Sequence, residues 1–575
     1  MNNEKYQIAI EKANLWLSSS IDDKTRYEIE EIKNNPDELI DAFYENLEFG
    51  TGGLRGIMGV GTNRMNVYVV EMATQGLCNY LIKAFPEYPK RVAISYDSRN
   101  NSKIFANATA NVFASNGFEV FIFDDIRPTP ELSYAVRKLN CVSGVMITAS
   151  HNPKEYNGYK AYGYDGGQYI SPHDQNIINE VKAIKSFEEV KKNQNQHLIY
   201  TLKEDFDEQY YQEILKLSLQ PEIIKQQKQL AFVYTPLHGT GVKIVPESLR
   251  RLGFENVYLV EEQAIPDGNF PTTPSPNPEE KIALSMAIEK AKKVNADIIF
   301  ATDPDADRVG VAVKNSNGEF ILLNGNQTAV ILTYYILEQW KTKGLFKGNE
   351  FIVKTIVTTE LLTQIAKSYG VEIYDVLTGF KYIAEVIRNN EGKKQYICGG
   401  EESYGFLVGD YVRDKDAVSA CTMIAEVAAW AKSKNKTLWD ILLEIYQKYG
   451  YYNEGLISIT KKGVNGIQEI KQMMTNYRNK PPKYLANSKV VVIKDYKNKI
   501  EKNLINNYEK EINLPVSDVL RFITEDETIV SIRPSGTEPK IKFYIGMKFQ
   551  YKQNIDDLEK AANDKINRIK ADLGL

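Results

Sequence analysis

The sequence predicts a multi-domain α/β protein, and three observations carry that expectation. Its 575 residues exceed what one hydrophobic core organises, which calls for three to five domains of roughly 100–200 residues. From about residue 90 onward, short apolar runs alternate with helical patterns, as expected of βαβ units in a mostly parallel sheet. The alternation then restarts several times with no alignable repeat, which argues against a solenoid.

The elements follow in order. Residues 5–48 read as helices with charged faces and apolar positions at Ile8, Ile10, Leu15 and Leu17. A glycine-rich turn, Gly50–Gly56, comes next. Arg91–Tyr96 reads as a strand, Lys103–Asn116 as a helix and Phe118–Phe123 as a second strand. Val142–Ile147 is an apolar run bounded by turn residues, again a strand. Lys185–Asn195 is polar and charged, and reads as solvated linker. A second unit begins at Leu230–Tyr234 and passes through a helix to Val257–Val260. After it come a Pro/Asn-rich loop, Pro266–Pro278, and a helix ending at Lys293. A third unit starts near Gln327, and a fourth follows the helix Thr437–Lys448.

Composition narrows the function. Apolar content of 43% and charged content of 25% fit an ordinary globular protein. The 71 basic and 75 acidic side chains nearly cancel, which leaves no electrostatic footprint for nucleic acid or an anionic membrane. Cys78, Cys141, Cys398 and Cys421 lie far apart with no CxxC spacing, as in a cytoplasmic protein with reduced thiols. The first residues show no apolar core of a signal peptide, and no apolar run nears the roughly 18 residues of a membrane span.

Four loops carry chemistry, each after a strand-like run. Thr148-Ala149-Ser150-His151-Asn152-Pro153 places a serine where a strand leaves its sheet, the usual position for function in open α/β folds. Ser150 reads either as a phosphoryl carrier or as a polar loop residue satisfying its own backbone. Asp303-Pro304-Asp305-Ala306-Asp307-Arg308 sets three carboxylates at alternate positions, where they can converge on a hard, oxygen-liking cation such as Mg²⁺. An EF-hand does not fit, because its sixth position is Arg308 and its twelfth Lys314. A charged turn is the plainer alternative.

The third loop, Gly399–Gly405, offers Glu401 and Ser403 to sugar hydroxyls, or is a plain hairpin tip. Nearby Arg413-Asp414-Lys415-Asp416 supplies cations for a phosphate, or is a surface ion-pair run. The fourth, Arg533-Pro534-Ser535-Gly536-Thr537-Glu538-Pro539, combines a guanidinium fork, hydroxyls and an approachable glycine backbone, a credible site for a non-reacting phosphate. A GxxxxGK[ST] loop is absent from the sequence, so nucleotide phosphates are not implied.

In this order, with Asn157-Gly158-Tyr159-Lys160, Thr378-Gly379-Phe380-Lys381 and the Pro266–Pro278 loop, the motifs resemble the α-D-phosphohexomutase family. The likeness is greatest to bacterial members of phosphoglucomutase/phosphomannomutase type and runs from residue 50 to 540. The resemblance implies an α/β fold of four domains around a central cleft: three related mixed-sheet units and a smaller C-terminal α+β domain. It implies boundaries of 1–205, 206–325, 326–452 and 453–575, carrying the serine, metal, sugar and phosphate loops respectively.

It also implies that glucose 1-phosphate and glucose 6-phosphate interconvert through a phosphoserine at Ser150, with glucose 1,6-bisphosphate as intermediate and activator. Mg²⁺ would be held by Ser150, Asp303, Asp305 and Asp307. Ser150, His151, Lys160 and Arg308 would be catalytic. Arg55, Thr378, Gly379, Glu401, Ser403, Lys415, Arg533, Ser535, Gly536 and Thr537 would bind substrate. The expected partner is a small sugar phosphate, with no nucleic acid and no membrane, in a monomer or homodimer. Glu402 and Tyr404 replace the Met and Gly of the Gly-Glu-Met-Ser-Gly-His loop found in members using both mannose and glucose, and no histidine follows. This favours a glucose-type enzyme over a phosphomannomutase or phosphopentomutase, and leaves the general base unassigned. A metal-dependent phosphatase with an aspartyl nucleophile would leave Ser150 and the fourth loop unexplained.

Overall fold

The computed structural model describes residues 2–50, 52–461, 466–535, 539–551 and 554–575. By compactness the chain divides into two units. The first comprises residues 1–324, 380–398 and 403–435, and the second residues 325–379, 399–402 and 436–575. The described residues form sheets of six, five, four and eight strands. No helix among them is long and apolar enough to cross a membrane.

In the first unit, β1 (Gly53–Ile57), β2 (Arg91–Tyr96), β3 (Glu119–Phe123), β4 (Ser143–Ile147), β5 (Tyr156–Gly163) and β6 (Ile199–Leu202) form one sheet in the order β1-β5-β4-β2-β3-β6. Pairing is parallel from β4 through β2 and β3 to β6, and antiparallel where β5 joins β4 and β1. The continuous apolar runs of β2 and β4 fit central strands covered on both faces. Val92, Ile94, Val145 and Ile147 pack with Phe105, Val112 and Phe113 of the helix Ser102–Ser115 and Leu77 and Leu81 of the helix Val67–Ala84. Each such side chain contributes about 1.5–3 kcal/mol on burial.

The second sheet repeats the plan with β7 (Ala231–Thr235), β8 (Asn256–Leu259), β9 (Ile298–Thr302), β10 (Val309–Lys314) and β11 (Phe320–Leu323), ordered β11-β10-β9-β7-β8. The segment β5-β4-β2-β3 matches β10-β9-β7-β8 in order and in direction. In both sheets the last parallel strand folds back onto an antiparallel partner. The serine loop is the β4–β5 turn and the aspartate loop is the β9–β10 turn, so one structural device presents both.

In the second unit, the strands Glu350–Thr355 and Glu372–Val376 pair in parallel. The C-terminal sheet is antiparallel between the neighbours described, and the helices Gly466–Asn479 and Ile555–Asp572 supply Ile470, Met474, Ala562 and Ile569 to its core. Within it, Ile529–Pro534 pairs with Lys540–Phe549, the strands that flank the phosphate-type sequence in the chain.

Two expectations are corrected. The glycine-rich turn ends earlier than read, because Gly53–Ile57 is strand β1, with Leu54 buried opposite Tyr159 and Arg55 exposed. Three glycines masked a period-two pattern. The Lys185–Asn195 stretch is not solvated linker throughout: Phe187 packs edge-on against Trp16 at 5.0 Å, and Val190 joins the core of the first sheet. Two apolar side chains fix it despite its charge. All four cysteines are free and buried.

Candidate active site

The serine loop is held from outside itself. The Arg99 guanidinium donates to the carbonyls of Ser150 at 2.6 Å, Pro153 at 2.9 Å, Tyr156 at 3.0 Å, and Asn152. Asp97 faces Arg99 Nε at 3.4 Å, with both side chains fully buried, so the clamp is neutralised where it is buried. Thr148 Oγ1 accepts from the Ser150 amide at 2.8 Å. Ser150 takes a left-handed φ of 52°, a conformation costing a non-glycine residue about 1–3 kcal/mol that its surroundings must hold.

That conformation aims Ser150 Oγ at the second loop. It donates to Asp303 Oδ2 at 2.6 Å and lies 3.1 Å from His151 Nδ1. With the single hydroxyl proton directed at the shorter contact, His151 Nδ1 is left facing a serine lone pair. Loss of solvation, then the charges of Arg308 and Arg55, push the His151 imidazole well below its ordinary range. Arg55 itself reaches Asn152 Oδ1 at 3.2 Å.

Asp303, Asp305 and Asp307 are all buried. Asp303 Oδ1 accepts from the amides of Asp307 at 3.2 Å and Arg308 at 3.0 Å. Asp305 Oδ2 accepts from Lys160 Nζ at 2.7 Å and Thr129 Oγ1 at 2.9 Å. Lys415 Nζ stands 2.7 Å from Asp307 Oδ2, with Lys160 Nζ at 3.6 Å. Arg308 pairs with Glu279 at 2.8 Å. Burial, and then the charges of Asp305 and Asp307, push the Asp303 carboxyl well above its usual range. Burial works in the same direction on Asp305, but the Lys160 ammonium outweighs it and holds that carboxyl below the ordinary range.

The donor set fits a divalent metal. One oxygen from each aspartate lies within 4.8 Å of the others. Asp305 Oδ1 and both Asp307 oxygens are buried without a hydrogen-bond donor, although Asp307 Oδ2 is ion-paired with the lysines. Buried carboxylate oxygens without donors are costly, and a hard cation with oxygen ligands satisfies them.

The first unit thus brings together Ser150, His151, Lys160, Asp303, Asp305, Asp307 and Lys415, with Arg308 and Arg55 at the edge. Ser403 also belongs to it. Its neighbour Tyr404 accepts from the Val309 amide at 3.0 Å through its backbone carbonyl, tying that loop to the metal loop. Two participants were invisible in the sequence reading. Arg99 lies about fifty residues from the loop it clamps, and Thr129 donates twice to Asp305, also through its amide to the Asp305 carbonyl at 2.9 Å. A conspicuous Arg beside Asp97 was the only available signal for the first; nothing marked the second.

The second unit holds the remaining candidates. Glu401 Oε1 accepts from the Gly379 amide at 2.9 Å, which joins the Thr378-Gly379 turn to the sugar-type loop. Glu402 Oε2 accepts from Thr355 Oγ1 at 3.0 Å and Thr358 Oγ1 at 3.3 Å. Burial, and then the charge of Glu401, push the Glu402 carboxyl up to about 7. Arg533 lies opposite Lys542, one residue before the end of the strand Ile529–Pro534, and Ser535 follows the strand. Ser535 donates its amide to the Lys540 carbonyl at 2.7 Å. Gly536 and Thr537 lie outside the described residues.

Comparison with known proteins agrees with this geometry. Three family models match in sequence order: phosphoglucomutase/phosphomannomutase alpha/beta/alpha domain I over residues 46–188, domain II over 208–318 and domain III over 324–449. The chain is 39% identical over 555 residues to a phosphoglucomutase of Staphylococcus aureus (strain MW2), covering 96% of this chain and 98% of the relative. It is 36% identical over 558 residues to that of Staphylococcus haemolyticus (strain JCSC1435), covering 94% and 99%. The fold is similar to the open form of the Paramecium phosphoprotein pp63/parafusin, a phosphoglucomutase (TM-score 0.67, 18% identity, 92% of this chain and 96% of that one). It is similar also to a phosphoglucomutase/phosphomannomutase family protein of Burkholderia thailandensis (TM-score 0.65, 19% identity, 91% and 97%). Near-complete coverage at this identity makes the chain a member of the phosphoglucomutase/phosphomannomutase family.

Proposed function

We propose that the chain is a phosphohexomutase of phosphoglucomutase type, interconverting glucose 1-phosphate and glucose 6-phosphate through a phosphoserine at Ser150 and a glucose 1,6-bisphosphate intermediate. The observation that carries this reading is the 2.6 Å contact between Ser150 Oγ and Asp303, beside the Lys160 and Lys415 ammonium groups. A serine held there is placed to accept a phosphoryl group beside the Lys160 and Lys415 ammonium groups, and to give it up again. Both Asp303 oxygens are engaged by donors, which disfavours Asp303 as the nucleophile of a phosphatase.

In the forward half, the Ser150 phosphoester passes its phosphoryl group to the free hydroxyl of a hexose monophosphate. The bisphosphate turns end for end, and Ser150 Oγ takes back the other phosphoryl group. Lys160, Arg308 and Lys415 neutralise charge spreading over the transferring oxygens. Asp303, Asp305 and Asp307, with an oxygen of Ser150, would hold Mg²⁺, which when bound supplies further charge neutralisation. Glu401 and Ser403 orient sugar hydroxyls, with the Thr378-Gly379 turn behind Glu401 and Arg55 beside the serine loop. Arg533 and Ser535, with Gly536 and Thr537, grip the phosphate that is not reacting, so that binding away from the reaction supplies positioning. The reading includes a cytoplasmic monomer or homodimer built as four domains, 1–205, 206–325, 326–452 and 453–575.

The discriminating experiment compares kcat/KM on glucose, mannose and ribose 1-phosphates. The reading expects glucose to lead. A clear preference for mannose or the pentose would transfer the assignment to a phosphomannomutase or a phosphopentomutase.

A further inference from the structure

The Pro266–Pro278 loop has no role in the chemistry above, yet it contacts the segments that hold the serine loop. Gly268 lies so close to the Arg99–Asn100 backbone that a Cβ would come within 2.3 Å of the Asn100 amide nitrogen. Asn100 Nδ2 donates to Asn269 Oδ1 at 3.1 Å, and the Phe270 ring lies 5.0 Å below the Arg99 guanidinium. Ser275 Oγ donates to the His151 carbonyl at 3.1 Å. Glu279, just past the loop, receives Arg308. The loop therefore braces the Arg99 clamp and the serine loop at one end, and the aspartate loop at the other.

One side chain latches it. His238 is 1% exposed. Its Nδ1 faces the Ile265 carbonyl at 2.8 Å and its Nε2 faces Thr272 Oγ1 at 2.9 Å. A carbonyl only accepts, so Nδ1 carries the proton. The remaining bonds then run in one direction. Thr235 Oγ1 donates to Gln263 Oε1 at 2.6 Å, and Gln263 Nε2 donates to Thr272 Oγ1 at 3.0 Å. Thr272 donates in turn to His238 Nε2. With the proton on Nδ1, each contact named in this relay sets a donor against an acceptor, the condition under which such networks rigidify a site.

The latch is also tied to the aspartate loop. Leu237 and His238 are consecutive left-handed residues, with φ of 46° and 63°, an arrangement that surrounding contacts must enforce. Two residues after His238, the Thr240 amide donates to the Pro304 carbonyl at 2.8 Å. Gly239 presses on Pro304, where a Cβ would come within 2.4 Å of its Cα. A closed circuit results: Pro304, the 237–241 turn, His238, the 265–279 segment, the serine loop, and Ser150 Oγ back to Asp303.

We propose that His238 is a positioning residue for phosphoryl transfer, setting the spacing between Ser150 and the Asp303–Asp307 loop through the Pro266–Pro278 brace. The inference rests on the mutase reading. It is tested by the rate at which glucose 1,6-bisphosphate loads a phosphoryl group onto Ser150, followed by intact mass in wild type, His238→Ala and Thr272→Val. Steady-state kcat and KM for glucose 1-phosphate are measured alongside. Thr272→Val removes the relay hydroxyl with little change of shape, and decides the question if His238→Ala does not fold. Folded variants are expected to load and turn over about 10- to 100-fold more slowly, with KM within about twofold of wild type because the sugar and distal-phosphate contacts are untouched. Loading at the wild-type rate, or a loss confined to KM, would overturn the positioning role. Failure of the wild type to load would instead overturn the mutase reading, and this inference with it.

Discussion

The two units solve different problems with different materials. In the first, Ser150 and the three aspartates proposed for phosphoryl transfer sit on two matching turns, β4–β5 and β9–β10, in a buried network of carboxylates, lysines and a clamping arginine. In the second, the proposed recognition groups are mixed: Arg533 and Ser535 are partly exposed beside a paired strand, whereas Glu401 is buried against the Gly379 amide. Reaction demands charges fixed before the substrate arrives, because reorganisation at the moment of transfer is costly. Gripping either end of a sugar that must turn over demands contacts that can be made and released.

That contrast can be broken by substitution. Ser150→Ala should have the largest effect, lowering mutase turnover by about 10⁴-fold or more while leaving glucose 1-phosphate binding measurable by calorimetry. Residual turnover near wild type would place the phosphoryl carrier elsewhere. Lys160→Met should follow, lowering kcat by about 10²–10³-fold with little change in KM, because its 2.7 Å partner is Asp305 rather than a recognition residue.

In the second unit the losses should appear in KM. Removing a charge-assisted contact in Arg533→Ala or Glu401→Gln costs about 1.5–3 kcal/mol of binding, which steady-state kinetics reads as a raised KM. A drop in kcat alone would erase the division of labour. Mg²⁺ should stabilise wild type by about 2.7 kcal/mol at a hundredfold excess over its Kd, read as a raised melting temperature. The same titration on Asp305→Asn should show a much smaller gain.

The smallest expected effect concerns pH. The Glu402 carboxyl moves from 4.5 up to about 7, so between those values the folded protein keeps a proton that the unfolded chain has released. Its contribution to stability is therefore full below about 4.5 and is lost as pH rises through 7. Glu402→Gln should flatten the fall in melting temperature across that window. An unchanged slope would assign the dependence to another group.

Much of the site was legible because its chemistry is local. The three aspartates stand at alternate positions, and the serine directly follows an apolar strand, so both reveal themselves within a few residues. The strand at Arg91–Tyr96 and the helix after it were legible for the same reason. What local pattern alone leaves open depends on long-range contact. Lys415 sits in a run that reads equally well as surface ion pairs, and only its 2.7 Å approach to Asp307 separates the two readings. Arg99, Thr129 and His238 act across distant turns, and their residue types alone carry no sign of it. Phe187 and Val190 reverse the reading of a charged stretch because each finds a core made elsewhere.

The central claim is that Ser150 shuttles a phosphoryl group, and intact mass with site mapping tests it most directly. After incubation with glucose 1,6-bisphosphate and Mg²⁺, the account predicts a gain of one phosphoryl group, located on Ser150 and discharged by added glucose 1-phosphate or glucose 6-phosphate without matching release of inorganic phosphate. No gain, a phosphate mapped to another residue, or stoichiometric release of inorganic phosphate would contradict it.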